Sequence, residues 1–252
     1  MLSFNVREER LVVISDLHIG NPASACREDL LRFMDEACEA GYSLCINGDG
    51  FDIMQTSFLR LSRELPDVFA AIRRFGRKGL RVYYVVGNHD IPLESFLNNW
   101  GDLIFLPFLN LSSGAARIRI EHGYLYDPFF VKWPRTYEAL THAAGTVLSV
   151  FPRAYRAWIL YERVKNRRHR GADGLAGEPP AFGAAARAIL ERGFDAVIFG
   201  HTHHPGVVSF PEGGRYINTG SFMLGPDFAV IEHGEARLER WSSGLWDART
   251  AA

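Results

Sequence analysis

Residues 11–18 read Leu-Val-Val-Ile-Ser-Asp-Leu-His, an apolar run that ends on two side chains able to bind metal. The run is short, nearly continuous in hydrophobicity and β-branched at its centre. It predicts a strand buried on both faces. The same arrangement repeats further along the chain. Ser43–Asn47 runs into Gly48-Asp49, and Arg81–Val86 leads to Gly87-Asn88-His89-Asp90. Asp195–Phe199 delivers Gly200-His201-Thr202-His203, and the alternating run Ala116–Glu121 ends on His122-Gly123. Ligand sites of α/β proteins lie at strand ends. Asp, Asn and His arriving together from separate strands form the donor set of a divalent metal centre.

The segments between these runs set the fold class. Arg27–Ala40 carries Leu30, Leu31, Met34, Ala37 and Cys38 at helical spacing and stops at Gly41. Ser57–Arg77 reads as a longer helix with a kink at Pro66. A β-α-β-α-β alternation predicts a parallel or mixed sheet with covering helices, and right-handed crossovers place all three strand ends on one edge. The second half reads as hairpins of a second sheet: Val207–Phe210, Tyr216–Asn218, Phe228–Glu232 and Ala236–Trp241, with turns at Glu212-Gly213-Gly214 and His233-Gly234. The tail after Trp241 is expected to be loosely held, with Trp246 able to dock.

Composition narrows the function classes. With 252 residues and 47% hydrophobic side chains, the chain can bury a large core. A net charge of −1 argues against a general nucleic-acid binder, which would be basic. Cys26, Cys38 and Cys45 are odd in number and show no C-x-x-C spacing, which suits buried thiols in a reducing compartment. Met1–Arg10 has no apolar core of the kind a signal peptide needs. No stretch approaches the about 18 apolar residues of a spanning helix. The expected location is cytoplasmic, with peripheral contact at the inner membrane face.

The ordered set D-x-H, G-D, G-N-H-D, a lone H and G-H-x-H resembles the calcineurin-like metallophosphoesterase superfamily, from Leu11 to Tyr216. The resemblance implies an α/β fold of two facing mixed β-sheets flanked by helices. Residues 1–252 would form one domain, with a helical insert at 124–180. It also implies two divalent ions, one on Asp16, His18, Asp49 and His203, the other on Asp49, Asn88, His122 and His201, with Asp49 shared. Manganese is the expected ion, and iron or zinc also suits a mixed N/O donor set without thiolate. Two ions about 3.5–4 Å apart lower the pKa of water and neutralise charge on an in-line transition state. His89 would sit near the leaving oxygen as proton donor, with Asp90 orienting it and Asp52 in a supporting role. Asp16 and His18 are expected to point alike, as residues i and i+2 of an extended chain do, and so are His201 and His203. A lone histidine such as His122 is, by itself, more often a surface or core residue; the other four blocks reverse that reading. His142, His169 and His233 receive no catalytic role.

Tyr124–Arg170 stands apart from this pattern. It has helical spacing and many aromatics, and carries nine Lys/Arg against three acids, a net charge of +6. A solvated basic face would account for that. Because the segment follows directly on His122, the sharper expectation is a cap over the site for an anionic, partly apolar substrate, with Lys132, Arg135, Arg156 and Arg163 contacting it. Gly200–Pro205 followed by Tyr216–Ser221 resembles the UDP-2,3-diacylglucosamine diphosphatase branch, which splits a pyrophosphate into UMP and a lipid phosphate beneath a helical lid. That branch carries Arg where this chain has His89. The expected partner is therefore a phosphorylated small molecule or a lipid-linked nucleotide, with membrane contact through the insert. Alternatives are a broad-specificity phosphodiesterase, a phosphomonoesterase, a nuclease using Arg163–Arg170 on a phosphate backbone, or a scaffold without metals. No aromatic stacking ladder accompanies that basic run, which counts against nucleic acid.

Overall fold

In the computed structural model, which describes residues 4–21, 26–53, 56–151, 157, 159–162, 164 and 178–246, two six-stranded sheets share one core. The first sheet, in chain order, uses β2 (Arg10–Ile14), β3 (Ser43–Asn47), β4 (Val82–Val85), β5 (Leu103–Leu106), β11 (Asp227–Glu232) and β12 (Glu235–Arg240). The second uses β1 (Asn5–Arg7), β6 (Leu109–Ser113), β7 (Ala116–Ile120), β8 (Ala196–Phe199), β9 (Gly206–Ser209) and β10 (Arg215–Asn218). The spatial orders are β12-β11-β2-β3-β4-β5 and β1-β6-β7-β8-β10-β9.

Side-chain alternation explains why these strands read as continuous apolar runs. Leu11 and Val13 of β2 enter the core between the sheets, where they join Cys45, Tyr83, Val85, Ile118, Ile120 and Ile198. Val12 and Ile14 face the other way, toward α1 (Arg27–Glu39) and α2 (Phe58–Arg77), which contribute Leu30, Phe33, Met34, Val68 and Phe75. Both faces of the strand are covered, so both parities must be apolar. Pro66 lies inside α2, and the helix is continuous through it. On the outer face of the second sheet, α5 (Pro180–Leu190) packs Phe182, Ala186 and Ile189 against Val197, Phe199 and Tyr216. Between β7 and β8 the chain also forms α3 (Pro128–Lys132) and α4 (Pro134–Val150).

Parallel pairing sets the position of the polar blocks. β2 pairs β3 with Ile14 opposite Ile46, and β3 pairs β4 with Asn47 opposite Val85. Asp16, Asp49 and Asn88 therefore leave one edge of the first sheet. In the second, β7 pairs β8 with Ile120 opposite Ile198, and Gly200 N donates to His122 O at 3.0 Å.

Four features depart from the sequence expectation. β11 and β12 do not join the second sheet: β11 runs antiparallel to β2, with Ala229 opposite Val13. Ala229 and Ile231 enter the shared core while Phe228 and Val230 face the helices, so β11 is as two-sided as β2. β5 and β6 come from one apolar stretch, Leu103–Leu111, which Pro107 divides so that the chain passes from one sheet to the other. β1 is an edge strand with little apolar content, paired parallel to β6. The tail is held as far as Trp246. Glu36 takes Trp241 Nε1 at 3.0 Å and Gly244 N at 3.1 Å, and Trp246 is buried against Phe33, Tyr42 and Phe228. The three cysteines are buried and none forms a disulfide, as expected.

Candidate metal centre

Backbone strain marks the site first. Among the described residues, six non-glycine residues have positive φ: Asp16, His18, Asp49, His201, His203 and His233. Five of the six are candidate ligands. Non-glycine residues in the left-handed region cost about 1–3 kcal/mol each and persist where the surroundings fix them. This corrects the expected extended geometry. Asp16 and His18 project from left-handed positions, because the loop after β2 is pinned to the loop after β3: Asp16 N donates to Gly48 O at 3.1 Å and His18 N to Asp49 O at 2.9 Å.

The candidate ligand atoms fall into three groups, two of which include Asp49. Asp16, His18 and His203 form one triad, with His203 Nε2 3.0 Å from Asp16 Oδ1. Asp49, His122 and His201 form another, with His122 Nε2 3.3 Å from Asp49 Oδ2. Asn88 completes the second, its Oδ1 lying 2.8 Å from His201 Nδ1 and 3.3 Å from His122 Nε2. Asp49 also joins His18 and His89 in a third, overlapping group. His122 Nδ1 donates to Asn47 O at 2.8 Å, which turns Nε2 toward Asp49 and makes it the nitrogen available to a cation once its proton is displaced. Gly87 permits this crowding: a Cβ there would lie 2.2 Å from Asp49 Oδ1.

The electrostatics favour added positive charge. Burial opposes ionisation of Asp49, yet the adjacent His122 and His89 hold its carboxyl well below the usual range. Burial likewise pulls His122 down, but Asp49 and Asp16 outweigh it and raise the imidazole to about 10. His89 rises to about 9 against its own burial, through Asp49 and Asp52. His18 instead falls to about 4, mainly through burial and then the neighbouring His89. Buried His18 Nε2 makes no hydrogen bond, and buried Asp16 Oδ1 has only the ion pair with His203 Nε2. Carboxylate, imidazole and amide donors, one of them buried without a partner, around two buried carboxylates, fit divalent cations.

His89 is held by Asp52, not Asp90. Its Nδ1 lies 3.1 Å from Asp52 Oδ1, and Asn21 Nδ2 donates to Asp52 Oδ2 at 2.8 Å. Asp90 faces its own loop and accepts from Gly87 N at 2.6 Å, Gly50 N at 3.0 Å and the Tyr84 hydroxyl. It thereby braces the glycines beside Asp49 and Asn88. Burial, and then the charge on Asp49, lift Asp90 to about 7. Of the expected substrate contacts, Lys132 and Arg135 sit exposed on α3 and α4, and no described contact ties either to the cluster. Arg156 and Arg163 lie outside the described residues.

Three contributors were missed in the sequence. Asp127 Oδ2 lies 3.0 Å from His201 Nε2, and Asn88 Nδ2 donates to the Tyr137 hydroxyl at 3.3 Å. Behind the histidine loop, buried Glu178 accepts from Thr202 Oγ1 and Asn218 Nδ2, each at 2.6 Å, and from the Tyr216 hydroxyl at 3.0 Å. Asp127-Pro128 reads as a helix start in hindsight; nothing local signals Glu178.

Burial lifts Glu178 to about 7 although its three donors pull the other way. The folded chain therefore keeps a proton that the unfolded chain has lost, and stability falls as pH climbs from 4.5 to about 7. At about 1.4 kcal/mol per pKa unit the loss approaches roughly 3 kcal/mol. Glu178→Gln keeps an acceptor for Thr202 and Asn218 and removes the titration. Denaturant unfolding of both proteins should show wild type losing roughly 3 kcal/mol relative to the variant between pH 4.5 and 8. A difference that does not move with pH would refute this assignment.

Comparison with known proteins agrees with this geometry. Residues 9–205 match the family model described as calcineurin-like phosphoesterase. The UDP-2,3-diacylglucosamine hydrolase of Azotobacter vinelandii is 27% identical over 81% of this chain and 86% of its own length. The protein of that name from Aeromonas salmonicida is 23% identical, covering 90% of this chain and 91% of its own. A dimetal phosphatase from Danio rerio shares the fold, with a TM-score of 0.50 at 12% identity over 92% of this chain and 99% of its own.

Proposed function

The chain belongs to the calcineurin-like phosphoesterase family and is a phosphoester hydrolase, and from that premise we propose that it splits the pyrophosphate of a UDP-linked diacyl sugar at a pair of divalent cations. The observation that carries this reading is the convergence of strand-end loops from both sheets, which brings the triads Asp16-His18-His203 and Asp49-His122-His201 together. Asp16, His18, Asp49 and His203 hold one cation, and Asp49, Asn88, His122 and His201 the other. Manganese suits these hard N/O donors. Such a pair, when bound, lowers the pKa of water and offsets the charge of the phosphate. The chain's own groups do the rest. Asp49 sets the spacing of the two sites, and Asp90 fixes the glycines around it. His89, gripped by Asp52, offers Nε2 toward the centre, 4.0 Å from Asp49 Oδ2, and donates to the leaving phosphate oxygen.

The substrate class rests on the relatives' names and on the insert. Residues 1–252 are read as one domain, with 124–180 as a cap. Leu125, Phe129, Val131, Trp133, Leu140 and Val147 lie exposed on its described part, interleaved with Lys132 and Arg135. An apolar face beside cations suits acyl chains next to a phosphate, and also a peripheral position at the cytoplasmic face of the inner membrane. Among the described residues no helix is long and apolar enough to cross a membrane.

Manganese-loaded protein should be assayed on UDP-2,3-diacylglucosamine, bis-p-nitrophenyl phosphate, p-nitrophenyl phosphate and single-stranded DNA. The lipid nucleotide should give the highest kcat/KM, with UMP released. Replacing Val131, Trp133 and Leu140 together by Ser should lower that value about tenfold, or roughly 1.4 kcal/mol of lost apolar contact, with little change on bis-p-nitrophenyl phosphate. Preference for DNA or for p-nitrophenyl phosphate would overturn the substrate assignment and leave the reaction class intact.

A further inference from the structure

We infer that Asp127 and Tyr137 make α3 and α4 part of the second cation site, so that filling this site and seating these helices are one coupled equilibrium. The inference rests on the reading that Asp49, Asn88, His122 and His201 hold a cation.

Asp127 serves two structures at once. Its Oδ1 accepts from Phe129 N at 2.8 Å and caps α3, while its Oδ2 lies 3.0 Å from His201 Nε2. A neutral imidazole carries a single N–H. Facing a carboxylate, His201 keeps it on Nε2, which leaves the lone pair of Nδ1 aimed at Asn88 Oδ1, 2.8 Å away. Tyr137 has the matching effect on Asn88. Its hydroxyl accepts from Nδ2 at 3.3 Å, which turns Oδ1 toward His201 and His122. Two acceptors at 2.8 Å repel each other unless a positive charge lies beside both. One insert residue sets the histidine tautomer, the other sets the amide orientation, and both act on ligands of the same cation.

The helices are tied to the site as a unit. The Tyr137 ring meets Phe130 edge-on at 5.2 Å, Phe130 meets Tyr124 at 5.0 Å, and Tyr124 lies 6.1 Å from the His122 ring. A chain of rings thus runs from a ligand of the second cation back to the residue that orients Asn88. Coupling of this kind is reciprocal: whatever seats the helices tightens the cation, and the cation seats the helices by the same factor.

The test uses the full chain and Mn²⁺ alone. Asp127→Asn retains Oδ1 for the α3 cap, since Asn caps helices as well as Asp, but sets an amide N–H against His201 Nε2–H. Tyr137→Phe removes only the hydroxyl. Mn²⁺ affinities are measured by chelator competition, and tryptic cleavage after the exposed Lys132 and Arg135 is followed by mass spectrometry. Wild type should bind two ions, and Mn²⁺ should slow cleavage at both positions. Each variant should retain the first ion with unchanged affinity, which also shows that it is folded, and hold the second about 10–100-fold more weakly. The spin-coupled signal of a manganese pair should give way to a single-ion spectrum, and Mn²⁺ should no longer protect Lys132 and Arg135. Unchanged affinities in both variants, or wild-type cleavage indifferent to Mn²⁺ with both sites filled, would overturn the coupling alone. A wild type that binds no second ion would overturn the two-cation reading beneath it.

Discussion

Asp49→Ala is expected to lower turnover by about 10³-fold or more, equivalent to roughly 4 kcal/mol of transition-state stabilisation, and to release both cations. The size of the effect follows from how many contacts meet at one carboxylate. Oδ2 lies 3.3 Å from His122 Nε2 and 4.0 Å from His89 Nε2, and Oδ1 accepts from His89 N at 2.8 Å. Asp49 takes part in two of the three ligand groups among the described residues. Without its charge, burial is opposed by less and the imidazoles of His122 and His89 lose their raised proton affinity. The field that draws cations inward weakens with them. Asp49→Asn is the companion variant: it retains an acceptor for His89 N and removes only the charge. Metal content by elemental analysis and turnover on bis-p-nitrophenyl phosphate should fall together in both. Near-normal turnover with bound metal in either would show that Asp49 is not shared between two ions.

The strands that carry this site were legible because each buries both faces. Leu11–Ile14, Ser43–Asn47 and Ala196–Phe199 could not be amphipathic, and their apolar runs end where the polar loops begin. The candidate ligands were legible for the same reason, since Asp16, Asp49, Asn88 and His201 each follow closely on a strand. Strand-to-sheet assignment was less accessible. β11 looks like its hairpin neighbours in sequence, and only the two-sided burial of Phe228–Ile231 places it beside β2. Backbone conformation was not accessible either. Residues i and i+2 point alike only in extended chain, and the cross-loop bonds from Asp16 N and His18 N impose left-handed φ at both ligands. The groups that orient ligands were hardest to see. Asp127 meets His201 across 74 positions and Glu178 meets Asn218 across 40, separations that no local pattern encodes. The exchange of Asp90 for Asp52 as the partner of His89 has the same origin: adjacency in sequence gave way to a contact between residues 37 apart.

The second large effect is expected at a residue with no side chain. Gly48 has φ +80°, and a Cβ there would lie 2.3 Å from both Cγ and Nδ1 of His122. The ring has little room to retreat. His122 is fully enclosed, and its Nδ1 is committed to Asn47 O, one residue before Gly48. Gly48→Ala therefore carries two costs, left-handed strain of about 1–2 kcal/mol and overpacking of about 1–3 kcal/mol. The ring can relieve the second only by moving its Nε2 away from Asp49 and Asn88. The expected outcome is a loss of about 2–5 kcal/mol in stability, failure to hold the second cation, and a fall in turnover of about 10²-fold or more. Gly79→Ala separates the two costs, because Gly79 has φ +73° and no atom within 4 Å of a built Cβ. That variant should show the strain alone, about 1–2 kcal/mol by denaturant unfolding, with both cations and full turnover retained. If Gly48→Ala matches Gly79→Ala in stability, metal content and rate, the His122 ring does not stand over Gly48, and the ligand set of the second cation must be redrawn.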